Sequence, residues 1–396
     1  MTVDYAKKTV ADVPVDGRRV FVRVDFNVPI DQNGHILDDR RIREALPTIQ
    51  YLIQHGARVI LASHFGRPGG KPQPAYSLGP IAERLQTLLG QPVEFVPEAV
   101  SSVAEAAAQR LAPGQVALLE NLRFYPGEEK NDPGFAEQLA KLADLYVNDA
   151  FGTAHRAHAS TEGITKFLPS VSGFLMEKEL RALGNALESP KRPLVAVVGG
   201  AKISSKIDVL NHLLPRVDRL LVGGGMANTF LKAQGLEIGR SLVEEDRVPV
   251  AKQIISQAGA KLALPIDVVV ADRPDPTALP EVVSIDQVPT DKMILDIGPR
   301  TADLFAQVFQ TAGTVIWNGP LGVAEIPPFA EGTLGVARAL AQSKAVSIVG
   351  GGDLVGILEQ LGLAEQMSHV STGGGASLEF LEGKVLPGVA ALEDKA

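Results

Sequence analysis

Leu194-Val195-Ala196-Val197-Val198 runs directly into Gly199-Gly200-Ala201-Lys202-Ile203-Ser204-Ser205-Lys206, and residues 207–214 continue with helical apolar spacing. Five apolar residues without a polar interruption describe a strand buried on both faces. The glycine pair is its turn, so the stretch is one strand-to-helix unit. The same order recurs through the second half. Residues 219–222 meet Gly223-Gly224-Gly225, 345–349 meet Gly350-Gly351-Gly352, and 314–317 meet Asn318-Gly319-Pro320, with a further run at 268–271. In the first half the runs are 19–24, 58–62, 116–119 and 145–147. Between the runs, apolar spacing predicts helices over 41–55, 78–89, 135–143, 207–214, 248–257 and 329–342.

Alternating strands and helices in two sets predict an α/β protein of two doubly wound, parallel-sheet, Rossmann-like domains. Residues 174–183, with apolar spacing and Glu/Lys pairs, read as the helix that joins them, closed by Ser189-Pro190 and Pro193. The expected division is 1–172, a linking helix 173–188, a second domain 189–380 and a tail 381–396. Asn33-Gly34 marks a hairpin turn.

Composition agrees with that size. A chain of 396 residues holds two or three domains at roughly 150 residues each. Lys plus Arg number 38 against 46 Asp plus Glu, a net charge of −8, which disfavours a general affinity for nucleic acid or anionic membrane. The absence of cysteine excludes disulfides, Cys-ligated metal and a thiol nucleophile, and fits a reducing compartment. No apolar signal core opens the sequence and no run approaches the ~20 apolar residues of a membrane span, so a cytoplasmic protein is expected.

In open parallel sheets, ligands bind beyond the carboxyl ends of the strands. The first-half runs end on Asp25 and Asn27, on His64 and Arg67, on Asn121 and Arg123, and on Asn148, Asp149, His155, Arg156 and His158. One arginine after a strand is usually an ion-paired surface residue. Recurrence on four strands points to a pocket for a small, highly anionic molecule, because guanidinium forks match carboxylate and phosphate oxygens. His155 and His158 could supply half of a metal site, but no third ligand is evident and anion binding or plain surface placement reads better.

The second-half runs end in bare glycine, which lets main chain approach a phosphate closely. One such pair is usually a turn; three in one sheet suggest a nucleotide floor. Neither the Walker-A spacing nor G-x-G-x-x-G is present, which disfavours a P-loop or dinucleotide fold. Lys202 and Lys206 stand four apart at a helix start, where each opposes the macrodipole by about 0.3–1 kcal/mol. An anionic ligand reverses that sign, so phosphate binding is favoured over a solvated basic face. Asp353 offers a carboxylate suited to Mg²⁺, or else a helix N-cap.

These stretches together resemble phosphoglycerate kinase from end to end. The matching motifs include Arg23-Val24-Asp25-Phe26-Asn27-Val28-Pro29, Ser63-His64-Phe65-Gly66-Arg67-Pro68, Glu120-Asn121-Leu122-Arg123-Phe124 and Asn148-Asp149-Ala150-Phe151-Gly152-Thr153-Ala154-His155-Arg156. In the second half they include Asp296-Ile297-Gly298-Pro299, Trp317-Asn318-Gly319-Pro320 and Ser371-Thr372-Gly373-Gly374-Gly375. The resemblance implies 3-phosphoglycerate or 1,3-bisphosphoglycerate on the first domain, held by Asp25, Asn27, Arg41, His64, Arg67, Arg123 and Arg156. It implies Mg²⁺ with ATP or ADP on the second, held by Gly200, Lys206, Gly223, Gly224, Gly298, Asn318, Glu325, Gly351, Gly352, Asp353 and Leu354, with Asp353 on the metal. Arg41 and Lys202 are the implied catalytic residues, in a cytoplasmic, hinge-bending monomer whose tail returns to the first domain. Hinge candidates are the linking helix and Ser371–Gly375.

Three departures from the family pattern stand out. Leu354 occupies a position usually held by Thr or Ser, Ala324 replaces a usual Phe, and an extra residue in the 31–39 loop leaves Arg40 and Arg41 competing for one role, with Arg41 in better register. Competing functions are an NAD-dependent dehydrogenase, against which the missing fingerprint speaks, and a nucleotide- or sugar-phosphate-sensing regulator without catalysis, which Leu354 keeps open.

Overall fold

Burial of uninterrupted apolar runs explains where the strands fall in the computed structural model, which describes residues 6–396. The chain divides into two compact units. One runs through Arg181 and takes back Val385–Ala396; the other is Ala182–Lys384. The chain therefore passes between them twice, inside the helix Phe174–Glu188 and between Lys384 and Val385. Ser371–Gly375 lies wholly within the second unit, and the returning tail starts four residues later than the sequence suggests.

The first unit holds β1 (Arg19–Arg23), β2 (Arg58–Ala62), β3 (Val93–Val96), β4 (Val116–Leu119), β5 (Leu145–Asn148) and β6 (Ser170–Ser172). They form one parallel sheet in the order β3-β4-β2-β1-β5-β6. The helix Arg40–Gln54 buries Ile42, Ala45, Ile49 and Leu52, one stripe at helical spacing, in the same core cluster as Val20, Val22, Val59 and Leu61. The predicted hairpin is present, with Ile30 bridged to Ile36 and Gly34 at φ 82°. The tail is fixed along the β6 side: Glu393 donates its N–H to Ser170 O at 3.0 Å, Lys8 donates to Glu393 O at 2.9 Å, and Gly388 donates to Ala154 O at 2.8 Å.

The second unit holds β7 (Leu194–Val198), β8 (Arg219–Val222), β9 (Leu262–Ala263), β10 (Asp267–Ala271), β11 (Glu281–Ser284), β12 (Met293–Ile297), β13 (Thr314–Asn318), β14 (Val346–Gly350) and β15 (His369–Val370). Six of them make a second parallel sheet, β15-β14-β13-β7-β8-β9. The run at 268–271 does not join it. As β10 it pairs antiparallel with β11 and β12 in a separate three-stranded sheet. Its apolar character records burial and does not choose partners; β11, the next strand in the chain, can pair with it antiparallel through a local connection. Among the described residues no helix is long and apolar enough to cross a membrane.

Candidate active site

In the first unit β4, β2, β1 and β5 are neighbours in the sheet, so the loops leaving their carboxyl ends emerge side by side. Asn121, fully buried, ties two of these loops together: its amide donates to Phe65 O at 2.7 Å and its Oδ1 accepts from Phe65 N at 3.1 Å and Arg123 N at 3.0 Å. Asn27 ties the loop after β1 to the same loop after β2, its Oδ1 accepting from Gly66 N at 2.9 Å. Arg41 reaches the same place from the helix Arg40–Gln54. Its Nη1 donates to Asn27 O at 2.8 Å and stands 3.4 Å from Asp25 Oδ1. Arg40 lies 3.8 Å from Glu44 on its own helix.

Cations crowd this rim. Arg123 donates to Gly66 O at 3.0 Å and is held below its ordinary pKa by burial and by Arg23 and Arg156, with Glu129 opposing. His64 is pushed well below its ordinary value, first by burial and then by Arg23, Arg123 and Arg41. His158 falls to about 4 through burial, Arg23, Arg123 and Arg156. Arg67 and Arg156 are exposed. An anion placed among these positive groups would relieve their mutual repulsion.

The second unit builds a different kind of surface. A cavity of about 210 Å³ is lined by main chain at Gly200, Gly224 and Pro320, by apolar Val268 and Leu295, and by Glu325 and Asp353. Gly224 sits at φ 72°, and a Cβ there would come within 2.7 Å of Gly200 O and 2.9 Å of Pro320 O, so only glycine allows these three turns to meet. Gly223 and Gly298 are not among the residues lining this cavity, and Cβ atoms added there would meet Leu321 and the Asp267 carboxylate. Asp296 also lines the cavity, its carboxyl pushed up to about 8 by burial despite N–H donors from Gly332 and Ile297.

Lys202 is exposed, whereas Lys206 is partly buried and donates to Asn318 Oδ1. Burial lowers the Lys206 pKa, with the Glu382 and Asp353 carboxylates acting against it. The Asn318 amide nitrogen is buried without a hydrogen-bond partner beside Gly351. Asp353 is exposed on the first turn of the helix Gly352–Gln360, and Gly352 has open space around it. Among the described residues no group of three His, Cys, Asp or Glu could hold a metal. The exposed Asp353 carboxylate fits Mg²⁺, which takes one or two carboxylates and completes its shell with phosphate oxygens and water.

One expectation is corrected. Leu354 is fully buried in the apolar core with Val349 and Leu358, so its side chain is no nucleotide contact. An apolar side chain on that helix turn gains more by entering the core than by facing a phosphate. Ala324 likewise packs inward, against Ala330 and Leu334. The sequence reading also missed Arg23, Glu128 and Ser160, all fully buried beneath the rim. A charged Arg23 ending an apolar run was the available signal.

The two α/β units, one carrying an arginine-rich rim and the other a cavity lined by bare main chain, match a family of two-domain phosphotransferases. A family model described as phosphoglycerate kinase matches residues 10–384. The phosphoglycerate kinase of Herpetosiphon aurantiacus is 61% identical over 98% of this chain and 100% of its own, and that of Chloroflexus aggregans is 59% identical over 98% and 99%. Among solved structures, phosphoglycerate kinase from Coxiella burnetii matches with TM-score 0.89 at 46% identity, covering 97% of this chain and 98% of that one. The Pyrococcus horikoshii enzyme gives 0.85 at 35%, with the same coverage. The chain belongs to the phosphoglycerate kinase family.

Proposed function

We propose that the first unit binds 3-phosphoglycerate and 1,3-bisphosphoglycerate, the second binds Mg²⁺ with ADP or ATP, and a phosphoryl group passes reversibly between them. One observation carries the reading most: Arg41, Arg123 and Arg156 at the rim, with Arg23 beneath it, lie close enough to depress the pKa of His64, His158 or Arg123, a positive charge density that a small polyanion neutralises.

In this reading Arg41, Arg67, Arg123 and Arg156 fork onto substrate oxygens, and Asp25 and Asn27 orient Arg41. Gly200 and Gly224 form the floor under the nucleotide, with Gly223 and Gly298 adjoining it. Lys206, Asn318, Gly351 and Gly352 meet its phosphates, and Glu325 faces the nucleoside. Asp353 holds Mg²⁺, which neutralises phosphate charge when bound. Towards 3-phosphoglycerate phosphorylation the nucleophile is a carboxylate, already ionised, so no general base is required. What remains is in-line positioning and stabilisation of charge on the moving oxygens, the task assigned to Arg41 and Lys202. Transfer requires the two half-sites to meet at one phosphoryl group, and we place that movement in the helix Phe174–Glu188 and the chain near its second passage at Lys384.

A coupled assay of ATP formation from 1,3-bisphosphoglycerate and ADP tests the function. Turnover supports it; tight binding of both ligands without turnover would favour the sensing regulator.

A further inference from the structure

Arg23 ends β1 and no part of it reaches solvent. A buried guanidinium is costly unless its donors and its charge are matched. Its Nε donates to Ser160 Oγ at 2.8 Å and its Nη1 to Val24 O at 2.5 Å, while Nη2 stands 3.1 Å from Nδ1 of His64. Behind it, the Ser160 hydroxyl donates to Glu128 Oε2 at 2.5 Å and the Ser160 N–H to Oε1 at 2.7 Å. Glu128 is as buried as Arg23, with Oε2 4.0 Å from Nη2. Tyr146 completes the support by donating to Ser160 O at 2.7 Å.

The direction of every bond follows from the guanidinium, which has donors and no acceptor. The single Ser160 proton goes to Glu128, so its lone pairs face Arg23. On the other side His64 Nδ1 must present a lone pair to Nη2, and a neutral imidazole with a bare Nδ1 carries its proton on Nε2. Among the described residues Nε2 has no protein partner.

We propose that Arg23, backed by Ser160 and Glu128, is a positioning residue that fixes His64 in the Nε2–H tautomer, so that the ring offers a donor to an anionic substrate oxygen. The inference rests on the reading of His64 as part of the 3-phosphoglycerate rim. The other tautomer would aim a lone pair at the same oxygen and repel it. Burial and the neighbouring arginines keep the ring neutral, so a fixed proton position is the way this histidine can remain a donor.

The test is nitrogen-15 NMR of the histidine side chains in the full chain, with and without 3-phosphoglycerate. In the free wild type at neutral pH, Nε2 should be protonated and Nδ1 bare, and added 3-phosphoglycerate should shift Nε2. Arg23→Gln, whose amide can donate or accept, should give a mixture of tautomers and raise KM for 3-phosphoglycerate about tenfold while kcat changes less than about threefold. A wild-type ring protonated on Nδ1 overturns the proposal. So does a folded Arg23→Gln variant with an unchanged tautomer and KM. An Nε2–H ring that ignores 3-phosphoglycerate instead overturns the placing of His64 in the substrate rim. Should Arg23→Gln fail to fold, the two wild-type measurements decide.

Discussion

Asp149 Oδ1 accepts the backbone N–H of Leu175 at 3.0 Å, joining the residue that follows β5 to the first turn of the helix Phe174–Glu188. Met176 N lies 3.3 Å from the same oxygen. One carboxylate thus satisfies two of the N–H groups that a helix start leaves open. Asp149→Ala should cost about 1–2 kcal/mol in denaturant unfolding.

The same carboxyl makes a prediction about pH. Burial raises Asp149 from 3.8 to about 6, against the opposing bonds from Thr48, Met176 and Leu175. A carboxyl raised on folding contributes stability that is full below its unfolded pKa and is lost as pH rises through about 6. Asp149→Asn keeps Oδ1 but does not titrate. Its stability relative to wild type should therefore improve between about pH 4.5 and about pH 7.5 in urea midpoints. A constant gap contradicts the assignment.

His158 is lowered on folding, so its sign is the reverse. Its contribution is present above about 6.5 and disappears as pH falls through about 4. Histidine NMR should place its midpoint near that lower value, and bound 3-phosphoglycerate should raise it. A midpoint at the ordinary histidine value would contradict the burial of His158 beside Arg23, Arg123 and Arg156.

At the nucleotide floor, Gly224→Ala forces a Cβ against main-chain oxygen atoms that cannot move aside cheaply. ATP affinity by calorimetry should fall at least about tenfold, with 3-phosphoglycerate binding unchanged. Equal affinity for ATP would remove Gly224 from the floor.

Leu354→Thr restores the hydroxyl usual in the family but places it where Leu354 is packed in the core. It should cost about 1–3 kcal/mol in stability without tightening ATP binding. Tighter ATP binding would show that this side chain faces the nucleotide after all.

Much of this was legible in the sequence because its signals are local. Val116–Leu119 and Leu194–Val198 are uninterrupted apolar runs, Arg58–Ala62 and Arg219–Val222 are apolar after a leading arginine, and the ends of all four are the strand ends. β3, with Glu94 in its middle, and the three-residue β6 are too short for any period to show. The antiparallel sheet was hidden because β11 is largely exposed and carries no apolar run to match β10. Rim residues were readable from their position after strands. The support beneath them was not, because Glu128 and Ser160 are far from Arg23 in sequence and only the fold brings the three together.

The most direct measurement is steady-state turnover of Lys202→Ala and Arg41→Ala in both directions of the reaction. Cationic stabilisation of the moving phosphoryl group predicts that kcat falls by about 10²–10³ in each variant with only modest changes in KM. Unchanged kcat in both would contradict it.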